Sequence, residues 1–231
     1  MFVSKRGERF GRYTDRRDAG RELVACLGHL ADRRDVVVLG LPRGGVPVAA
    51  EVARALHAPL DVLVVRKVGV PGHRELAMGA VASGAVQILN HDLIAQLGIS
   101  PASVATVVRE EQQELARRER LYRNGRDPVP LEGRVVVLVD DGLATGSTMR
   151  AAVAAVRAKG PRRVIVAVPV GSESACEDLR HVADEVVCAR VPEAFRAVGE
   201  WYVDFSETSD EDVRALLGLA HVPAVPSGGR A

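Results

Sequence analysis
The sequence predicts an α/β protein, a parallel sheet flanked by helices. Three observations carry that prediction. The runs Val36-Val-Val-Leu39 and Val135-Val-Val-Leu-Val139 are short, rich in β-branched residues and unbroken, as strands buried on both faces must be, and a third run, 60–65, joins them. Segments with apolar residues at three- and four-residue spacing lie between the runs. Turns rich in Gly, Pro and Asp separate them, so the succession strand, helix, strand reads as a right-handed crossover unit.

Taken in order, Thr14 or Asp15 can cap a helix running to about residue 32, with Ala19, Leu23, Leu27 and Leu30 on one side. Strand 36–39 enters the turn Gly40-Leu-Pro42-Arg43-Gly44-Gly45, and a helix is expected over 46–56. In 66–75, after strand 60–65, three breakers and several charges predict a mobile loop. Segments 80–82 and 86–89 form a short hairpin around Ser83-Gly84, and 92–97 a short helix. Ser100-Pro101 opens a long charged helix that Asn124-Gly125 closes, with Gly125 suited to the left-handed cap. Strand 135–139 precedes an alanine-rich helix, 149–159, which Gly160-Pro161 breaks. Strand 164–168, helix 173–181, strand 185–188 and helix 209–217 complete the pattern. The core is expected over 15–190, with fraying beyond 221.

Composition narrows the function. A chain of 231 residues fits one domain with an appendage, and a net charge of +1 lacks the basic excess of a dedicated nucleic-acid binder. The pairs Arg16-Arg17, Arg33-Arg34, Arg117-Arg118 and Arg162-Arg163 read as solvated surface. Cys26, Cys176 and Cys188 are odd in number, widely spaced and form no Cys-x-x-Cys, so neither a disulfide framework nor a zinc site is suggested, and a reducing cytoplasm is the natural reading. Residues 1–12 are polar, without the apolar stretch of a signal peptide, and no run is long enough to span a membrane.

Chemistry concentrates where strand 135–139 ends. Asp140 and Asp141 are adjacent carboxylates at the carboxyl end of a buried parallel strand, where α/β proteins bind ligands. Side by side they repel, and are best tolerated where sugar hydroxyls or a divalent cation take up the charge. Ala144-Thr145-Gly146-Ser147-Thr148 then leads into a helix, so backbone amides and the helix dipole converge on one point and favour an anion. An ordinary capping turn would look the same alone; the acidic pair beside it argues for a phosphate next to a sugar. No Gly-Lys-Ser/Thr follows, and Gly142 and Gly146 lack dinucleotide spacing.

The strand, Asp140-Asp141 and Ala144-Thr-Gly-Ser-Thr148 together resemble the phosphoribosyl pyrophosphate (PRPP) motif of type I phosphoribosyltransferases. Pro42-Arg43-Gly44-Gly45 resembles that family's pyrophosphate loop, and Arg66-Lys67 with its Gly/Pro-rich sequel its flexible catalytic loop. The likeness covers about 15–205 and, through Glu75-Leu-Ala-Met-Gly-Ala80, is greatest to uncharacterised bacterial members. It departs at Gly142, where most members carry an aliphatic residue.

The resemblance implies a Rossmann-like type I core with a small variable hood, drawn from 91–125 and 191–220. It implies transfer of ribose 5-phosphate from PRPP to a nitrogenous base, with Mg²⁺ as cofactor and release of pyrophosphate. Asp140 and Asp141 would hold the ribose 2′ and 3′ hydroxyls, directly or through Mg²⁺. Ala144, Thr145, Gly146, Ser147 and Thr148 would cradle the 5′-phosphate. Arg43 and the amides of Gly44 and Gly45 would bind pyrophosphate, with a family cis peptide expected at Pro42–Arg43, and Lys67 and Arg66 would reach it too. Arg43, Lys67, Asp140 and Asp141 are thus the expected catalytic set. A lid over 67–78 would carry His73, Arg74 and Glu75, with His73 read as a solvent-exposed side chain.

The stretch Pro192-Glu-Ala-Phe195 to Asp204-Phe205 loosely resembles the purine-salvage branch. Phe195, Trp201 and Tyr202 are therefore candidates to stack on the base, and Asp204 to sit near it; sealing a small hood core explains the aromatics equally well. The expected partners are PRPP and a small-molecule base, within a homodimer, with no nucleic acid and no membrane. A PRPP-sensing regulator and a sugar-phosphate hydrolase are the alternatives on the same scaffold.

Overall fold
The computed structural model describes residues 2–6 and 11–219. In chain order the elements are β1 (Phe2–Arg6), α1 (Arg16–Cys26), β2 (Val36–Gly40), α2 (Gly45–Ala55), β3 (Leu60–Val62), β4 (Val65–Val70), β5 (His73–Ala82), β6 (Val86–Leu89), α3 (His91–Gln96) and α4 (Pro101–Arg123). There follow β7 (Val135–Val139), α5 (Ser147–Arg157), β8 (Arg163–Val170), α6 (Glu173–Leu179), β9 (Glu185–Val191) and α7 (Asp210–Leu219). Six strands form one parallel sheet in the order β1-β9-β8-β7-β2-β3.

The unbroken apolar runs bury both faces of this sheet by simple alternation. Val37, Leu39, Val136, Leu138 and Val166 share a core with Met149 and Val153 of α5 and Leu179 of α6. Val36, Val38, Val135, Val137 and Ile165 share another with α1, α2, α4 and α7. One further consequence positions the site. β2 and β7 are neighbours in register from Val36↔Val135 to Gly40↔Val139, so the chain leaves both strands at the same level. Leu41 N–H donates to Val139 O at 2.9 Å, extending that pairing into the loops.

Several expectations are corrected. The segment 66–75 is an antiparallel hairpin, not a loop: Arg66 pairs with Val81, Lys67 with Ala80 and Val68 with Gly79. Pro71 and Gly72 sit at its tip, where Gly72 takes φ +80°, a conformation open to glycine, and Gly69 falls at an irregularity of the ladder opposite Ala77. β6 completes this three-stranded sheet. The first helix ends at Cys26, not near 32, and a 3₁₀ turn, Gly28–Leu30, follows it. β1 was unforeseen among the polar N-terminal residues; it pairs with β9. Cys176 and Cys188 are not free but joined in a disulfide between α6 and β9.

The long helix is as expected, capped by Ser100 Oγ on Ser103 N–H at 3.1 Å. It closes through Asn124 (φ 49°) and Gly125 (φ 81°), so Asn124 shares the left-handed cap. Its end is fastened to the sheet where Arg123 Nε meets Asp61 Oδ1 at 3.1 Å and Arg123 Nη2 donates to Val62 O at 2.9 Å. The expected fraying beyond 221 lies outside the described residues. No helix among the described residues is long and apolar enough to cross a membrane.

Candidate functional site
The loop after β2 and the loop after β7 touch through their backbones. A methyl group on Gly45 would lie 2.7 Å from Val139 O and 2.8 Å from Asp140 Cα, and one on Gly44 would collide with the Asp141 carboxylate. Only glycine allows the approach. The Pro42–Arg43 peptide just ahead is cis, at the place the resemblance indicated. Arg43, Gly44, Gly45, Asp140 and Asp141 therefore come together as one constellation.

The two aspartates are held differently. Asp140 Oδ1 accepts from the Asp141 backbone N–H at 2.9 Å. Burial, then repulsion from Asp141, pushes the Asp140 carboxyl well above the usual aspartate range. Burial raises Asp141 as well, opposed by Arg16, whose Nε donates to Asp141 Oδ2 at 2.9 Å. The pair is thus an under-compensated negative site that favours a cation, a proton or hydroxyl donors.

Beside it, Gly146 (φ 71°) turns the chain into α5. No side chain caps the first turn of α5, so its amides remain available to an anion. Ala144, Thr145 and Ser147 line this turn and are all exposed, Thr148 beside them is half-buried, and the Thr145 and Ser147 hydroxyls lie 2.9 Å apart. Ser172 Oγ steadies the loop from behind by donating to Ala144 O at 2.8 Å. The arrangement offers donors for a phosphate on one side of the acidic pair and backbone amides with a guanidinium on the other.

Not every expected residue joins this group. Arg66 is committed to Glu111 on α4, Nη2 to Oε2 at 2.7 Å. Lys67 is exposed on β4, on the hairpin rather than on either loop. Arg43 pairs with Glu207 and lies 3.9 Å from Asp210 Oδ1. Asp210 is itself held by the Tyr122 hydroxyl at 2.7 Å, and burial followed by that bond raises the phenol to about 12.

Tyr202 is corrected as a stacking candidate. It is 2% exposed, its ring lies 5.5 Å from that of Tyr13 and 5.0 Å from that of Phe205, and no face remains for a ligand. Its hydroxyl donates to Asp141 O at 2.6 Å, which makes it a strut beneath the acidic turn. Phe195 and Trp201 pack half-buried against the same cluster, and Trp201 Nε1 is buried without a hydrogen-bond partner. Asp204 is exposed and accepts from the Ser206 N–H at 2.9 Å, a bond that lowers its carboxyl.

Two residues of the site went unread in the sequence. Arg16, taken there as surface, binds Asp141, donates from Nη1 to Ser206 O at 2.7 Å, and lies 4.0 Å above the Phe205 ring. Phe205, still exposed, thus lies between Arg16 and Tyr202. The only sequence signal for Arg16 was its position just after the Asp15 cap of α1. Gly142, unaccounted for in the sequence, has a physical reason: a methyl group there would lie 2.6 Å from Val198 Cγ1. Val198 supplies from the tail the aliphatic bulk that the turn itself lacks.

The donor set fits a hydrated Mg²⁺ shared with a polyphosphate better than a resident ion. Among the described residues no three His, Cys, Asp or Glu side chains cluster for a metal, and Mg²⁺ is usually held by one or two carboxylates, waters and substrate phosphates. Asp140 and Asp141 are the two carboxylates.

With this geometry in view, residues 16–206 match the family model described as the phosphoribosyl transferase domain. Two Mycobacterium tuberculosis proteins, of strains CDC 1551 and H37Rv, carry provisional names as phosphoribosyl transferases. Each is 50% identical over 209 residues, a match that covers 90% of this chain and 47% of theirs, so the chain spans about half their length. The crystal structure of TT1426 from Thermus thermophilus is 48% identical with a TM-score of 0.78, over 89% of this chain and 97% of that one.

Proposed function
The chain belongs to the phosphoribosyl transferase domain family, and from that premise we propose that it transfers ribose 5-phosphate from PRPP to a nitrogenous base with the help of Mg²⁺. The observation that carries the reading is the contact of Gly44 and Gly45 with Asp140 and Asp141 beside the uncapped start of α5. A sugar with phosphate at both ends matches that order of donors and acceptors.

Breaking the bond from C1 to pyrophosphate places positive charge on the ribose and negative charge on the leaving group, so no protein nucleophile is required. In this reading the amides of Gly44 and Gly45 and the Arg43 guanidinium receive the leaving pyrophosphate, where charge develops. Asp140 and Asp141 orient the ribose through its 2′ and 3′ hydroxyls, and the amides and hydroxyls of 144–148 anchor the 5′-phosphate. Asp140 and Asp141 would hold a hydrated Mg²⁺, which would supply neutralisation of the phosphate charge. Lys67, carried on the β4–β5 hairpin, adds a second cation to the leaving group if the hairpin closes as a lid, which would also keep water from PRPP. A small base as acceptor, a hood over 91–125 and 191–220, a homodimer and a cytoplasmic setting belong to the same proposal.

Calorimetry with PRPP and Mg²⁺ tests donor binding: heat is expected from the wild-type protein and none from Asp141→Asn. A panel of purines, pyrimidines and pyridine carboxylates, read by pyrophosphate release, tests transfer. Tight PRPP binding with no turnover across the panel would assign the protein to PRPP sensing instead. Phosphate or pyrophosphate released without any acceptor would assign it to hydrolysis.

A further inference from the structure
The two donor-binding side chains that carry charge on opposite sides of the site are both engaged from within the chain. Asp141 is held by Arg16, and Arg43 by Glu207. Both partners meet in one short segment. Residues 203–207 are exposed throughout, between buried Tyr202 (2% exposed) and buried Thr208 (8% exposed). The Val203 N–H donates to Tyr13 O at 2.8 Å and the Asp204 N–H to Thr14 O at 2.9 Å, which lays the segment beside the start of α1. Arg16 then fastens it, through Phe205 at 4.0 Å and Ser206 O at 2.7 Å. Glu207 reaches from its far end to Arg43.

The same segment walls a cleft of about 260 Å³ with Asp15, Arg16 and Pro47, the last just beyond Gly44-Gly45. The segment thus crosses from the ribose carboxylates to the pyrophosphate loop. It presents a carboxylate to the guanidinium that would take pyrophosphate, and anchors the guanidinium that covers the carboxylate that would take ribose or metal-bound water.

We propose that residues 203–207 are a self-inhibitory strap: they hold the donor-free site closed on itself, and PRPP displaces them by competing for Arg43 and Asp141. The proposal rests on the PRPP reading above. A ligand shifts such an equilibrium only through its preference for the open state, so contacts that favour the closed state subtract from its apparent affinity. Removing a strap contact therefore tightens donor binding. A residue that merely shaped the site would do the reverse.

The test uses the full chain and its single tryptophan, Trp201, which adjoins the strap and reports its movement. PRPP with Mg²⁺ is titrated by calorimetry and, in parallel, by Trp201 emission. The emission is expected to change with the calorimetric midpoint. Glu207→Gln, an exposed substitution with little risk to folding, and Arg16→Gln are each expected to bind PRPP about 2- to 5-fold more tightly, the range open to ion pairs near a surface. PRPP heat with steady emission, or weaker binding by the Glu207→Gln variant, overturns the strap and leaves the donor reading standing. Absence of PRPP heat in the wild-type protein overturns the donor reading and the strap with it.

Discussion
Asp140 shows how the proposed donor site weakens the fold that carries it. Both carboxyls of the pair are raised above their ordinary range by burial, so the folded chain retains protons that the unfolded chain has released. Stability therefore falls as pH climbs from the ordinary aspartate range, about 4, through the raised values. Asp140→Asn keeps the oxygen that accepts from Asp141 N–H and removes the buried charge. We expect it to raise the melting temperature of the free protein at pH 8 by about 2–4 °C, corresponding to about 1 kcal/mol, with a smaller gain at pH 4. Melts at the two pH values, with calorimetry showing lost PRPP binding, check both halves of that expectation. The acidic pair was legible because its neighbours in sequence are its neighbours in space. Arg16 was not, because its role depends on Asp141, 125 residues away.

At the scale of elements, the β4–β5 hairpin was hidden by its own breakers. Gly69, Pro71 and Gly72 in close succession read as a loop, yet the ladder from Val65↔Ala82 to Lys67↔Ala80 is set by pairing with residues whose register sequence spacing does not reveal. A paired strand carries Lys67 on a firmer base than a loop would. Lys67→Ala is accordingly expected to reduce kcat roughly 10-fold or more while PRPP affinity stays within about 2-fold, since only the transition state places full charge on the leaving group. Single-turnover rates beside calorimetry separate the two. The fastening of α4 is a second element-scale claim. Arg123 and Asp61 have side chains only 11% and 9% exposed, so Arg123→Met leaves a buried carboxylate without its charged partner, held by the Val62 and Val129 amides alone. A loss of about 3 kcal/mol, read as a drop of roughly 6–12 °C in Tm, is expected. An unchanged Tm would show that the pair does not hold α4.

For the whole molecule, the sheet order could be anticipated only in part. Apolar runs announced the buried strands, but nothing local announced that β1 would lie against β9, or that the chain at Tyr13 would run beside Tyr202. Such pairings join segments at opposite ends of the sequence and leave no periodic trace in either. The Cys176–Cys188 disulfide escaped for the same reason: spacing of cysteines says little when their meeting depends on a helix folding back over a strand. Because the proposed donor site draws on β2, β7, α5 and the tail together, its ligand should stabilise the chain as a unit. At a hundredfold excess over Kd, PRPP with Mg²⁺ should add about 2.7 kcal/mol, a rise of roughly 5–11 °C in Tm. The rise should vanish in Asp141→Asn, and thermal denaturation with and without donor measures it.

Gly142 and Val198 share one small volume between them, the first on the acidic turn and the second on the tail. Neither position is then free to vary by itself in related proteins. A sequence that carries an aliphatic residue at the turn should carry a smaller one, or a differently routed tail, at the other place, and the two should change together across the family. In the laboratory the same constraint is a compensating pair: Gly142→Val should destabilise by about 1–3 kcal/mol on its own and be largely rescued by Val198→Ala.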